Sequence, residues 1–241
     1  MQQGVTRTGR VIGAGAAAAG LLGLGYVGLT WLRYGKNGRS GPRDPLLDRF
    51  LPNYEVREQH ETRVAAPAEV TYDVTRELDL HQSGVVRAIF RGRELLMGSK
   101  PGRPQRVESF LSEVLKLGWR VLAEEPGHEL VMGAVTQPWK ADVQFRGLEP
   151  DEFTAFSEPG YAKIAWTLSV ESTGPVTSIF RTETRVATTD PESRRRFRRY
   201  WSLVSPGVLL IRYEMLRQVR REATRRATAK TLVPALQIRK A

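Results

Sequence analysis

The sequence predicts an α+β protein in which a curved antiparallel sheet wraps around a long C-terminal helix, preceded by one N-terminal transmembrane helix. Three patterns predict this architecture. Residues 11–32 form a run of 22 residues without a charge, residues 119–188 alternate with the period of strands, and residues 190–228 repeat apolar side chains every three or four positions. Because an alternating sheet has one apolar face that needs a cover, we expect the helix to pack on it.

The uncharged run favours a retained membrane anchor. A helix over residues 11–32 would extend about 33 Å at 1.5 Å per residue, which matches the hydrocarbon core of a bilayer, about 30 Å thick. Small residues one turn apart, such as Ala16 and Gly20, suit close contact with a second membrane helix. Residues 1–10 form a short polar tail before this anchor.

Two other interpretations of the same run stay open to test. A cleaved signal peptide would explain the basic residues before it, but the run is long and no small-x-small site follows Trp31. A dinucleotide-binding loop would explain the spacing of Gly13, Gly15 and Ala18, but no strand precedes it and no acidic residue follows at the required distance.

The net charge of +11 is distributed unevenly. Residues 1–43 carry +6, residues 44–193 carry −7 and residues 194–241 carry +12. The chain thus has an acidic body, a basic segment at each end and an apolar run within the N-terminal segment. This arrangement favours an anionic membrane surface over nucleic acid as the partner. The candidate membrane-surface residues are Arg33, Lys36, Arg39, Arg43, Arg217, Arg220 and Arg221.

The basic residues directly after the run also predict its orientation. They outnumber those before it, so the positive-inside rule places the body in the cytoplasm, on a single-pass protein of the cell membrane. Residues 33–50, rich in Gly, Pro and charge, are predicted to be a basic linker, residues 51–228 the folded domain and residues 229–241 a basic tail. The chain has no cysteine, which excludes disulfides.

The elements of the domain follow in order. Alternation predicts a first strand over residues 54–64 with one fully polar face, and Pro67 opens a helix that continues to Leu78. Further helices are predicted over residues 85–97 and 107–117. Strands are then predicted over residues 119–124, 129–137, 153–157, 161–171 and 178–188, as an antiparallel meander with Glu-Pro-Gly turns.

The last helix has a clear start and a clear apolar stripe. Asp190 can cap it, and Pro191 suits its first turn. Pro206 and Gly207 predict a kink near its middle. Its stripe consists of Phe197, Trp201, Val204, Val208, Ile211, Met215 and Val219.

Three segments of this domain carry a family resemblance: TRVAAPAEVTYDV (residues 62–74), FSEPGYAKIAWTLSVE (156–171) and TETRVATTDPESRRRFRRYW (182–201). They resemble the START-like or SRPBCC superfamily, which includes polyketide cyclase/dehydrase and lipid-transport-like proteins. The resemblance covers about residues 51–227. It implies a helix-grip fold that encloses a cavity for a hydrophobic or amphipathic small molecule, but it specifies no chemistry.

The residues that carry chemistry are few. The chain has three histidines and no recognisable metal-binding, hydrolase or phosphate-loop motif, so we expect no metal ion and no cofactor. Glu58 and His60 share a face of the first strand with Val56 and Val64, and would suit proton transfer if that face lines the cavity. The interpretation we favour is that both lie at a solvated strand end, because a buried carboxylate without a partner is costly.

These patterns favour a membrane-anchored START-like domain that binds a hydrophobic or lipid-like small molecule between the sheet and the last helix. One alternative is a polyketide cyclase/dehydratase-like enzyme that uses Glu58 and His60, although the lack of a recognisable catalytic motif favours a binding module. Another is a basic helix that binds nucleic acid or anionic lipid. The expected cavity residues are Thr136, Trp139, Trp166, Thr182, Thr184, Trp201, Val204 and Val208.

Overall fold

A computed structural model of the chain describes Tyr34, residues 44–78 and residues 110–238, with side chains up to residue 230. In these ranges the helices are α1 (Pro45–Asp48), α2 (Ala68–Glu77), α3 (Phe110–Lys116), α4 (Pro150–Ala155) and α5 (Pro191–Ile238). The strands are β1 (Val56–Val64), β2 (Arg120–Glu125), β3 (Glu129–Thr136), β4 (Phe145–Arg146), β5 (Ala162–Gly174) and β6 (Thr177–Thr188).

The strands form one antiparallel sheet in the order β1-β6-β5-β3-β2, with the short β4 paired to β3. The first strand therefore pairs with the last, and β1 is an edge strand. The register sets Glu58 opposite Thr184 and His60 opposite Thr182. This sheet and the long C-terminal helix confirm the predicted α+β class.

The main core lies between the sheet and the helices α2 and α5. Trp166, Leu168 and Phe180 of the sheet pack there with Met215 and Val219 of α5. Phe180 and Val219 are completely buried. Because residues two apart on a strand share a face, the alternation of β5 and β6 places this apolar set under the helix, as the sequence predicts.

The start of α5 is fixed by Asp190. Its carboxylate accepts hydrogen bonds from the backbone N–H groups of Glu192 (2.8 Å) and Ser193 (2.9 Å), and also from the Ser193 hydroxyl (2.6 Å). These donors hold the pKa of Asp190 well below its usual range, the Ser193 hydroxyl contributing most. The helix then runs through Pro206 without interruption, so the predicted kink stays a prediction.

The opposite face of the sheet is also covered, so the expectation of a single apolar face is wrong. Leu47, Phe50, Val131, Val135 and Phe153 form a second buried cluster on this face. The predicted linker over residues 33–50 is therefore wrong at its end. Asp44 caps α1 by accepting from the Leu47 N–H at 2.9 Å, and Leu47 is completely buried.

Phe153 belongs to a helix, which corrects the strand predicted over residues 153–157. Pro150 opens α4, and a capping box between Glu149 and Glu152 fixes its first turn. The short alternation around Phe153 resembles that of a strand. The helix start signals lie just before it in the chain and favour a helix instead. At the other end, α5 continues to Ile238 and so includes most of the predicted basic tail over residues 229–241.

Several predictions fall on residues outside the described ranges. They are the polar tail over 1–10, the membrane span over 11–32, most of the linker and the helix over 85–97. The third predicted helix, over 107–117, is present as α3. None of the helices within the described ranges is long and apolar enough to cross a bilayer.

A buried ionic network connects α1 to the outer face of the sheet. Both oxygens of Glu183 accept from Arg57, at 2.8 and 2.9 Å, and one also accepts from Arg185 at 2.7 Å. Arg185 is completely buried, forms an ion pair with Asp48 and donates to the Leu51 carbonyl. The face of β1 that the sequence predicts to be fully polar thus includes the buried Arg57.

We predict that Glu183→Gln destabilises the protein by about 3–5 kcal/mol, because it removes the buried carboxylate that Arg57 and Arg185 share. Urea unfolding of the full chain in a neutral detergent, followed by tryptophan fluorescence, measures the change. Glu61→Gln is the matched control: its partner Arg181 is 3.0 Å away on the exposed surface, so the expected loss is about 1 kcal/mol or less. Equal losses in the two variants would contradict the assignment.

Glu129 is a buried carboxyl group at the start of β3. It is 6% exposed, and its Oε1 has no hydrogen-bond partner among the described residues. Burial raises the pKa of Glu129 well above its usual range, and the neighbouring Asp44 carboxyl raises it further. The folded state therefore holds a proton that the unfolded state releases, so this group's stabilising contribution is lost as pH rises through the folded pKa.

We predict that Glu129→Gln gains stability over the natural protein as pH rises. At pH 4 the carboxyl is largely protonated in both the folded and the unfolded state. Its titration should therefore contribute little to the difference in unfolding temperature between the two proteins. At pH 8 the variant should be relatively more stable, because it has no carboxyl to keep protonated. Thermal unfolding across this range measures the difference, with the exposed Glu125→Gln as control. A difference that does not change with pH would refute the prediction.

Candidate ligand site between the sheet and the C-terminal helix

Arg212 places a guanidinium group between α5 and the sheet. Its Nη1 donates to the Thr182 hydroxyl at 2.9 Å, and its Nη2 donates to the Thr184 hydroxyl. The guanidinium carbon lies 6.0 Å from the ring centre of Trp166. Since Thr182 and Thr184 are neighbours on the same face of β6, one arginine bridges both.

The charge on Arg212 has no acidic partner within ion-pair distance among the residues that the structure describes. The side chain is half-buried. Removal from water lowers the pKa of Arg212 to about 10, and the negative charge of Glu58 opposes this shift. Arg212 remains protonated at neutral pH, so the interface holds a cation that is partly desolvated.

Glu58 and His60 lie beside these threonines, in the middle of β1. The His60 Nε2 atom is 3.7 Å from the Glu58 Oε2 atom, and their side chains are 14% and 28% exposed. The His60 ring centre is 5.4 Å from that of Tyr213 on α5, and Nε2 has no hydrogen-bond partner among the described residues. The solvated strand end that we favoured from the sequence is therefore wrong.

We refer to Glu58, His60, Thr182, Thr184 and Arg212 as the polar cluster. It contains a cation, a carboxylate, an imidazole and two hydroxyl groups on an interface that is otherwise apolar. Guanidinium N–H groups that the threonines do not use can donate to a carbonyl, hydroxyl or carboxylate oxygen. The arrangement can therefore fix the polar end of a molecule whose apolar part contacts Trp166.

The structure divides the expected cavity residues into two groups. Trp166, Thr182 and Thr184 adjoin the polar cluster. Trp139, Trp201 and Val208 belong to a separate cluster around Phe197, whose ring stacks on Trp201 with centres 5.8 Å apart. Val204 is half-buried on α5, and the Thr136 hydroxyl donates to the Gln144 carbonyl at 2.7 Å. Thr136 thus holds the loop after β3 in place.

Arg212 is the residue that our sequence analysis missed, although the pattern contains its signal. It lies four positions after Val208 and three before Met215, which places it on the apolar stripe of α5. A charge on such a stripe needs a polar group opposite it. The threonines at positions 182 and 184 supply that group at alternate positions of β6.

Two cavities lined entirely by described residues lie outside the polar cluster. One has a volume of about 590 Å³ and lies between the β5–β6 hairpin and α5. The other, about 170 Å³, lies on the outer face beside Asp44 and Glu129. A cavity lined by the polar cluster stays a prediction.

The candidate membrane-surface arginines of α5 differ in their surroundings. Arg217 pairs with Glu214 at 2.8 Å, Arg220 lines the larger cavity and Arg221 is exposed. Arg33, Lys36, Arg39 and Arg43 lie outside the described residues.

No family model and no curated protein matches this sequence. Several solved structures show a weak similarity. A conserved protein from Geobacillus kaustophilus is 8% identical, with a TM-score of 0.33 over 70% of this chain and 96% of its own. The Zhui aromatase/cyclase from Streptomyces sp. R1128 is 14% identical, with a TM-score of 0.25 over 71% of this chain and 94% of its own.

A START superfamily protein from Mycobacterium smegmatis is 12% identical, with a TM-score of 0.25 over 72% of this chain and 97% of its own. These values decide nothing about activity or ligand. The described order of elements, a strand, short helices, antiparallel strands and a long final helix packed on the sheet, fits the helix-grip α+β arrangement expected from the sequence.

We predict that Arg212 and Thr184 are energetically coupled. In a double-mutant cycle with Arg212→Met and Thr184→Val, the coupling energy should be about 1.5–3 kcal/mol, typical of a hydrogen bond to a charged group. Urea unfolding of the four proteins measures it. A parallel cycle with Arg212→Met and Thr154→Val, in which the threonine is distant from the arginine, serves as the control. Its two changes in stability should be additive. Additivity in the first cycle would show that the contact contributes nothing.

Proposed function

We propose that this chain is a membrane-anchored START-like domain that binds a hydrophobic or lipid-like small molecule between its sheet and its C-terminal helix. One observation carries this proposal: Arg212 brings a guanidinium group without an acidic ion-pair partner, among the described residues, into an apolar interface. A charge that is partly removed from water is costly unless a partner compensates it. A ligand with an acceptor group supplies that partner.

The surroundings of Arg212 support an amphipathic ligand. Trp166 is 5% exposed and contacts the aromatic rings of Phe110 and Trp119, with ring centres 5.8 and 6.0 Å away. This side of the guanidinium offers a flat apolar wall. The ligand would direct a carbonyl, hydroxyl or carboxylate oxygen toward Arg212 and place its apolar body against the tryptophan.

The connection to the membrane would be short. Eleven residues, 33–43, separate the proposed span from Asp44, and a fully extended segment of this length reaches about 40 Å. Since α1 is fixed to the outer face of the sheet by the Arg185–Asp48 ion pair, the body could not move far from the bilayer. A ligand that partitions into lipid would then be available at high local concentration.

A second candidate function is supported by the geometry of Glu58 and His60. A carboxylate and an imidazole 3.7 Å apart beside a cationic Arg212 could transfer protons to and from a bound polyketide-like molecule. Arg212 would then stabilise negative charge on a carbonyl oxygen. Glu58→Gln combined with His60→Gln tests this: turnover of an added aromatic polyketide should stop while binding persists. Unchanged turnover would exclude acid–base roles for both residues.

We predict that Arg212→Met lowers the amount of copurifying small molecule about tenfold or more, because one or more charge-assisted hydrogen bonds are lost. The full chain is purified in a neutral detergent, and the molecules released by solvent extraction are quantified by mass spectrometry. Arg221→Gln, which changes an exposed arginine on the same helix, should release as much as the natural protein. Equal amounts from all three proteins, or none from any, would contradict the proposal.

A further inference from the structure

The larger of the two cavities described above lies apart from the polar cluster. It has a volume of about 590 Å³, in the range of small-molecule sites, and opens where β1 ends beside the β5–β6 hairpin. Arg63 and Arg220 contribute its charges, from β1 and α5 respectively. Its other lining residues are Val64, Ala65, Thr173, Thr177, Ser178, Ile179 and Thr224. Acidic residues are absent from this lining.

The two cations of this cavity differ from most arginines near them. Arg181 pairs with Glu61, Arg217 with Glu214, and Arg226 with Glu222. Arg63 and Arg220 have no acidic partner within 4.0 Å among the described residues. The described residues around the cavity therefore form no ion pair that neutralises its positive charge.

Hydroxyl groups complete the lining. The Thr173 hydroxyl donates to that of Thr177 at 3.1 Å, which leaves the Thr177 proton free to donate elsewhere. Ser178 is satisfied by Thr71 and the Ala66 carbonyl, so it shapes the wall. Arginines from two elements, together with hydroxyl groups in the same lining, suit an anion with several acceptor oxygens. The guanidinium groups can bind a phosphate through paired hydrogen bonds.

We infer that this cavity is a binding site for a phosphate group, independent of the ligand site at the polar cluster. Arg63 from β1 and Arg220 from α5 would hold the phosphate oxygens, and Thr177 would donate to one of them. Val64, Ala65 and Ile179 provide an apolar wall beside the charges. The phosphate belongs either to a lipid headgroup or to a soluble molecule, and the two sources share this chemistry.

The experiment uses the full chain in a neutral detergent and measures binding by isothermal titration calorimetry. The probes are inorganic phosphate and dioctanoyl phosphatidic acid, a short-chain lipid with the same group. The natural protein should bind at least the lipid probe. Arg63→Gln combined with Arg220→Gln should weaken this binding at least tenfold, since two charge-assisted contacts are lost.

The matched control is Arg195→Gln combined with Arg199→Gln, which removes the same charge from exposed positions of α5 outside the cavity. It should bind within about twofold of the natural protein. Equal weakening in the two double variants would overturn the inference, because it would show attraction to net charge alone. Absence of binding of both probes would overturn it as well. Thermal unfolding of each variant verifies that it is folded.

Two further comparisons separate the sources and the sites. Competition of the lipid probe by inorganic phosphate supports recognition of the phosphate itself, whereas binding of the lipid alone, still lost in the Arg63/Arg220 variant, assigns the site to a headgroup. Arg212→Met should leave phosphate binding unchanged. If phosphate binds while no small molecule copurifies, the phosphate site is supported and the proposed function is contradicted. If a small molecule copurifies while phosphate does not bind, only the phosphate site is contradicted.

Discussion

The bridge from Arg212 to Thr182 and Thr184 is the contact on which the functional account depends. It fixes α5 over β6, and the antiparallel register then sets Glu58 and His60 directly opposite the same two threonines. Without the arginine, this interface would have no cation beside Glu58, His60 and the two threonines. With it, the interface carries a partly desolvated cation whose cost is repaid most fully by an added hydrogen-bond acceptor.

The outer face of the sheet also contains buried arginines, but there the protein itself supplies the anions that compensate their charge. There Arg57 and Arg185 are as deeply buried as the apolar core, but Glu183 and Asp48 neutralise them directly. A network that is fully neutralised within the fold fixes structure, in this case the attachment of α1 to the sheet. The comparison shows why Arg212, and not Arg185, is the candidate ligand residue.

Strand alternation and capping signals predict most of the described fold, because they depend on local chemistry. The strands β1, β5 and β6 and the start of α5 follow directly from such patterns. The errors have physical reasons as well. Residues 153–157 alternate like a strand, yet Pro150 and the capping box start a helix that includes Phe153 and ends at Ala155. Arg57, Glu183 and Arg185 are polar at alternate positions, a pattern that indicates solvent, but they bury one another through pairing. Arg212 was missed because its partners are distant in sequence.

A crystal structure of the full chain with its copurified or added small molecule tests the central claim most directly. The account predicts that a ligand oxygen lies within about 3.2 Å of the Arg212 guanidinium, with the apolar part of the ligand against Trp166 and under α5. A ligand found elsewhere, with Arg212 bonded only to Thr182 and Thr184, would contradict it.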